Sequence, residues 1–314
     1  MPNTINASSP ALPSPRDRRL WVQQRDWRVG LYTSAVRLAG ALSRPFGFKG
    51  LWHVARYLGP MVDGSPKCSV AIGRESRFEF SCTDPYWARL MAPAFSYEHE
   101  ILAALRMLRG VDFAFLDCGA NFGYWSVMCS DEEIGCAQVL AVEASATTFM
   151  ALERNRTVNR DRFQTLHRAI FARSGEIVKI SQPGSDHASA GIGEAGIDVE
   201  TVTIDDLART LRPSQLLVIK LDVEGVEIPA FQGASETLAG PVVVMFEDHG
   251  SDPTSKVCRF VMETLGLSVF AYMQDRGFVR LMSVDDASAL KVNCKKGYNF
   301  FAVTPAAAGL FPKA

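Results

Sequence analysis

The sequence predicts an α/β fold built on a mostly parallel sheet with helices on both faces, and three observations carry that expectation. Residues 114–118, 139–142, 166–170, 216–221 and 242–246 are short continuous apolar runs, most of them separated by helix-like segments. Strands buried on both faces by crossover helices have this pattern. The first run ends in the glycine-rich turn Asp117-Cys-Gly-Ala-Asn-Phe-Gly123 and passes at once into a helix-like segment. Acids close three of the other runs, at Glu143, Asp222 and Glu247. Open α/β sheets bind ligands at these carboxyl ends.

Composition bounds the function classes. The chain has 314 residues, 47% hydrophobic and 21% charged, which fits one large globular domain or one domain with an extension. It excludes a disulfide miniprotein, a collagen-like rod and a disordered polymer. The net charge of -1 conceals an asymmetry: residues 1–60 hold nine Lys/Arg against Asp17 and Asp26, so the rest of the chain is acidic. An acidic body lacks the basic surface that nucleic acid needs, and no nucleic-acid partner is expected. The seven cysteines are scattered without metal-ligand spacing and read as buried free thiols in a reducing compartment, hence a cytoplasmic protein. There is no run of 18 apolar residues and no apolar signal-peptide region near the start, which shares only its Arg-rich, acid-poor character with transit peptides.

Taken in order, residues 1–15 are Ser, Pro and Asn with little to bury and are expected to be disordered. Residues 1–65 then form a tail and a basic helical extension. Trp27, Leu31, Ala35, Leu38 and Leu42 recur at helical spacing between arginines. The sequence favours a stripe that packs on the main domain. The competing reading is peripheral contact of residues 16–58 with an anionic membrane. The main domain spans 66–305, its hairpin and helix in 66–110 and its core in 111–305, with a tail from 306. The hairpin pairs Cys68–Ile72 with Arg77–Ser81, and a helix over Tyr97–Arg109 ends at Gly110. A second hairpin, Ile177–Ile180 with Val199–Ile204, is inserted around a polar loop, and Leu267–Tyr272 and Asn299–Val303 supply the last strands.

The chemistry is concentrated in four places. A dinucleotide fingerprint would read GxGxxG, whereas the first turn reads DxGxNxG. That spacing fits the loop that holds the methionine part of S-adenosylmethionine: Asp117 accepts from the ammonium while the N–H groups of the turn face the carboxylate. Glu143, ending the second strand, is placed to accept both hydroxyls of a ribose. Ile219-Lys-Leu-Asp-Val-Glu-Gly-Val-Glu227 delivers three acids within six residues, which repel one another unless a cation, a substrate hydroxyl or Lys220 offsets them. Glu247-Asp-His249 ends the following strand and carries the best-placed of the five imidazoles.

These motifs, with Tyr97-Glu98, Asn155, Thr203-Ile-Asp-Asp-Leu207 and Gly233-Ala234, resemble the FkbM-family methyltransferases in order and approximate spacing over about residues 95–305. The resemblance implies a class I, Rossmann-like, seven-stranded methyltransferase fold and O-methyl transfer from S-adenosylmethionine to a sugar, glycan or natural-product hydroxyl. The cofactor-binding set is then Asp117, Gly119, Ala120, Asn121, Gly123, Glu143 and Ala169. Two positions depart from the family: Ala144-Ser145, where a Pro is common, and Pro229 in the helix after the acidic motif. Neither removes a chemical group.

Methyl transfer is an in-line displacement, and positioning supplies roughly 7–11 kcal/mol against roughly 3–5 for a general base. Asp222 and Glu224 are expected to line the methyl-transfer side, with His249 or Asp222 accepting the hydroxyl proton. Glu247, Asp186 and His187 are the candidate acceptor contacts. A divalent cation such as Mg²⁺ on Asp222, Glu224 and Glu247 is the rival account of the acids and is not expected, because no closely spaced oxygen-ligand loop is present. Two other function classes stay open: a non-catalytic, membrane-associated binding or scaffold protein on this fold, and an NAD-dependent oxidoreductase. The acceptor and the oligomeric state are not written in the sequence.

Overall fold

The structure, a computed structural model, describes residues 19–23, 26–136, 138–181, 191–192, 196–212 and 214–311. The N-terminal residues expected to be disordered, and Asp186 and His187, lie outside this set. The chain divides into two compact units, Met1–Tyr97 and Glu98–Ala314, so the first hairpin falls with the helical segment.

In the first unit, β1 (Leu20–Val22), β2 (Lys67–Ile72) and β3 (Ser76–Ser81) form an antiparallel sheet, with helices α1 (Trp27–Ser43) and α2 (Leu51–Leu58) between β1 and β2. Asp26 caps α1 by accepting from the Arg28 N–H at 2.9 Å. The face of α1 that packs is not the expected stripe. Val29, Tyr32, Thr33, Val36 and Gly40 are buried, whereas Trp27, Leu31, Leu38 and Leu42 are exposed. The reason is close approach. A Cβ on Gly40 would stand 2.3 Å from Cβ of Ala92, so only glycine lets the helix settle there, and that contact selects the face that carries Gly40.

The expectation of free thiols is corrected at two positions. Cys68 and Cys82, whose Cα atoms are 5.2 Å apart, form a disulfide across the β2–β3 hairpin. Antiparallel pairing brings together cysteines that are 14 residues apart in sequence. Cys118, Cys129 and Cys258 are buried free thiols, Cys136 is half-buried and Cys294 exposed.

The second unit opens with α3 (His99–Met107), whose Ile101, Ala104 and Leu105 are buried. Next come β4 (Phe113–Cys118), α4 (Tyr124–Cys129), β5 (Gln138–Glu143), α5 (Ala146–Val158) and β6 (Gln164–His167). The third apolar run then breaks at Arg168, and β7 (Ala169–Ile170) leaves the main sheet. It joins β8 (Ile177–Ser181), β9 (Gly191–Ile192) and β10 (Ile197–Val202) in a small sheet of order β7-β10-β8-β9, where β8 and β10 are the expected inserted hairpin. Thr203 ends that hairpin and caps α6 (Ile204–Thr210), accepting from the Asp206 N–H.

The remaining elements are β11 (Leu216–Leu221), α7 (Glu227–Gln232), β12 (Val242–His249), α8 (Lys256–Arg259), β13 (Ser268–Met273), β14 (Gly277–Arg280), α9 (Val284–Leu290) and β15 (Gly297–Val303). The main sheet has the order β14-β13-β15-β12-β11-β4-β5-β6. β15 runs antiparallel to both neighbours, and the strands from β12 to β6 are parallel. Seven of these strands match the expected class I sheet. The eighth, β14, is added at the edge because the turn after Met273 folds the chain back on β13. Near the C-terminus, Phe311 packs its ring 4.9 Å from Phe270 and 5.3 Å from Phe278. In solution, denatured protein titrated with a thiol reagent before reduction is expected to show the five thiols of Cys118, Cys129, Cys136, Cys258 and Cys294, rising to all seven cysteines after reduction.

Candidate active site

Parallel register gathers the acids. Leu116, Asp117 and Cys118 of β4 lie beside Leu140, Ala141 and Val142 of β5, and beside Ile219, Lys220 and Leu221 of β11. β11 in turn pairs Leu221 with Phe246 of β12. Asp117, Glu143, Asp222 and Glu247 therefore all emerge at one end of the sheet, the ligand-binding end. A cavity of about 380 Å³ lined by Ala114, Leu217 and Val242 opens at the amino ends of the same strands, away from every one of these acids.

The turn after β4 is tied to β5. The N–H groups of Gly119 and Ala120 both donate to the Val142 carbonyl at 2.9 Å, that of Asn121 to Glu143 Oε2 at 2.9 Å, and that of Gly123 to the Ala120 carbonyl at 2.8 Å. The Phe122 N–H donates to Asn121 Oδ1. All five are engaged within the protein, so the expectation that they face a ligand carboxylate is not met. What the turn offers instead is an acid. Asp117 is buried, Oδ2 accepts from Ser126 Oγ at 2.5 Å, and Oδ1 accepts from no described residue. Burial raises its carboxyl above the usual range, partly opposed by Lys220 and by the Ser126 hydrogen bond. Gly119, at φ +78, is required: a Cβ there would lie 1.8 Å from the Asp222 carbonyl oxygen.

Glu143 is buried with each oxygen holding a backbone N–H, Oε2 from Asn121 and Oε1 from Ser145 at 2.7 Å. Burial pushes its carboxyl up to about 7 against those hydrogen bonds. Ala169, in the small sheet, is buried with Ile180 and Val199.

Lys220 is the internal cation among the acids. It stands beside Asp117 in register, hence on the same face, and alternation puts Asp222 on that face too. Its Nζ donates to Asp222 Oδ2 at 2.7 Å, from a side chain only 5% exposed. Burial alone would lower its pKa, but Asp222, Glu98 and Asp117 hold it above the ordinary lysine value. Glu98 is the functional candidate that the site-by-site reading of acids passed over. It precedes α3 at a left-handed φ of +37, and its Oε2 accepts from Trp125 Nε1 at 2.6 Å. The signal was present in the Tyr97-Glu98 pair, but its neighbourhood with Lys220 is tertiary. Burial raises Glu98 to about 7, and Glu247 to about 8, with Asp222 adding repulsion at both. A Cβ on Gly297, across from β12, would collide with the Glu247 carboxylate, so that acid lies flat over β15.

The other candidates separate. Glu224 is exposed at φ +48. Glu227 is buried and accepts from the Gly225 N–H, closing the turn into α7. His249 is exposed, and its Nδ1 meets Ser251 Oγ at 2.6 Å and the Ser251 N–H at 3.1 Å. No hydrogen bond or ion pair joins His249 to the carboxylates among the described residues. Asp248, on the opposite face, is paired with Lys291 at 2.7 Å. Among the described residues no group of three His, Cys, Asp or Glu side chains is placed to hold a metal ion, Asp222, Glu224 and Glu247 included.

Two outcomes follow for the folded protein. Gly119→Ala is expected to lower stability by roughly 2–4 kcal/mol, from left-handed strain and displacement of the Asp222 backbone, read as a lower urea midpoint. The raised carboxyls of Glu98, Glu143 and Glu247 hold protons in the folded state that the unfolded chain has released above its ordinary 4.5. Stability should therefore fall as pH rises from about 4.5 to about 8, and Glu143→Gln should flatten that slope in denaturation series across the range.

Residues 117–280 match the family model of the FkbM methyltransferase domain. The hexuronic acid methyltransferase AglP of Haloferax volcanii is 23% identical over 217 residues, covering 68% of this chain and 88% of that protein. Among solved structures, the methyltransferase FkbM from Methylobacillus flagellatus is 12% identical with a TM-score of 0.36, over 61% of this chain and 43% of that one. The Bacillus cereus O-methyltransferase in complex with SAH is 12% identical with a TM-score of 0.37, over 67% and 83%. With the family model covering just over half of the 314 residues, and its match beginning at Asp117 itself, the chain belongs to the FkbM methyltransferase domain family.

Proposed function

We propose that this methyltransferase moves a methyl group from S-adenosylmethionine to a hydroxyl of a small-molecule or glycan acceptor, a sugar or natural product. The observation that carries the reading is the buried, unsatisfied Oδ1 of Asp117 at the carboxyl end of β4, next to Glu143 at the end of β5. An ammonium group satisfies such an oxygen. Glu143 retains lone pairs for ribose hydroxyls beside its two backbone donors, and the Gly119–Gly123 turn lets a ligand approach the backbone. The sugar-type acceptor draws support from the hexuronic acid named for the Haloferax relative. When bound, S-adenosylmethionine supplies an electrophilic methyl on a sulfonium.

The remaining work falls to this chain's own side chains. Lys220 Nζ holds the Asp222 carboxylate at 2.7 Å, which suits Asp222 to orienting an acceptor. Glu247, raised to about 8, is the better proton acceptor, because a base is most effective near the working pH. His249, exposed and tied to Ser251, has less support for that role. Glu224 is left at the rim.

Calorimetric titration of S-adenosylmethionine is expected to show micromolar binding to the wild type that is lost in Asp117→Ala and Glu143→Ala. Absence of binding to folded wild type would defeat the reading. Once an acceptor is found, Glu247→Gln should lower kcat by about 10²-fold with unchanged cofactor affinity. It should also abolish a rise in kcat/KM that otherwise climbs toward about pH 8, since the deprotonated carboxylate is the active form.

A further inference from the structure

We infer that the outward face of α1, continued by the turn after it, docks this protein on the surface of an anionic lipid bilayer. Trp27, Leu31, Leu38 and Leu42 are 70%, 62%, 61% and 67% exposed, and Phe46 just beyond the helix is 70% exposed. At 3.6 residues per turn, the four helix positions fall within an arc of about 60°. The opposite face, Val29, Tyr32, Val36 and Gly40, is already buried in the first unit. The helix is therefore apolar on both sides with one side taken, and an outward stripe of this size calls for a partner.

Charge says which partner. From Trp27 to Val62 there is no Asp or Glu, while Arg28, Arg37, Arg44, Lys49 and Arg56 are all present. Arg28 is paired with the exposed Asp63 at 3.0 Å. The other four make no ion pair with any described residue. Apolar side chains flanked by cations fit acyl chains beneath a layer of phosphate. A second copy of the chain would set like charges against one another across a two-fold contact. The 17-residue helix is about 25 Å long and lies on the surface, consistent with no described helix being long and apolar enough to cross a membrane.

The test is co-sedimentation of the full chain with vesicles of phosphatidylcholine alone, and of phosphatidylcholine with about 30 mol% phosphatidylglycerol. Binding to the anionic vesicles is expected, about tenfold weaker on neutral ones and weakened by high salt. Leu31→Glu/Leu38→Glu should lose it about tenfold while keeping the wild-type Tm, since both side chains are exposed. A wild type that ignores anionic vesicles, or a double variant that binds them equally, overturns the inference. So does self-association that the double variant abolishes in a protein without vesicle affinity, which would assign the face to a second copy.

Discussion

One buried ammonium makes the acidic end of the sheet sustainable. Asp117, Asp222, Glu98 and Glu247 converge where β4, β11 and β12 end and α3 begins, and in a partly dry environment their mutual repulsion would otherwise force protonation or unfolding. Lys220 stands inside that group, 2.7 Å from Asp222 and in register with Asp117. It does what an external cation would do in a metal-dependent site. Such a pair is costly to desolvate and contributes little net stability, but removing either partner leaves a buried charge exposed to the full penalty. The arrangement is better understood as a means of holding several carboxylates at one place than as a source of stability.

The same cation does not act on the acids equally. Asp222 is in direct contact with Lys220, whereas at Glu247 and Glu98 burial outweighs the attraction of the ammonium, lifting them to about 8 and about 7. Neighbouring carboxyls whose environments push them apart can divide binding from proton transfer. Glu143 is raised by burial too, and its two backbone donors fasten it between the first turn and α5.

The first unit solves a different problem. Helix α1 has apolar residues almost all round, and Gly40 decides which side goes in, because only there can the helix backbone meet Ala92. Trp27 and the leucines Leu31, Leu38 and Leu42 are left outside. Helical spacing of large apolar residues did not identify the packed face, and steric fit at Gly40 did.

The sequence by itself determined the parallel core, its order of elements, the turn at Asp117–Gly123 and the acids that end β5, β11 and β12. Those features are local: continuous apolar runs, glycine placement and the position of an acid at a strand end are set within a few residues. It also held the family motif. What only the tertiary structure decided are relations between distant residues: Glu98 brought to Lys220, the first-turn N–H groups spent on Val142 and Glu143, the third apolar run split between two sheets, Cys68 joined to Cys82, and the outward stripe of α1. Each depends on which surfaces meet and how closely, and periodicity carries no information about the partner that a residue will find.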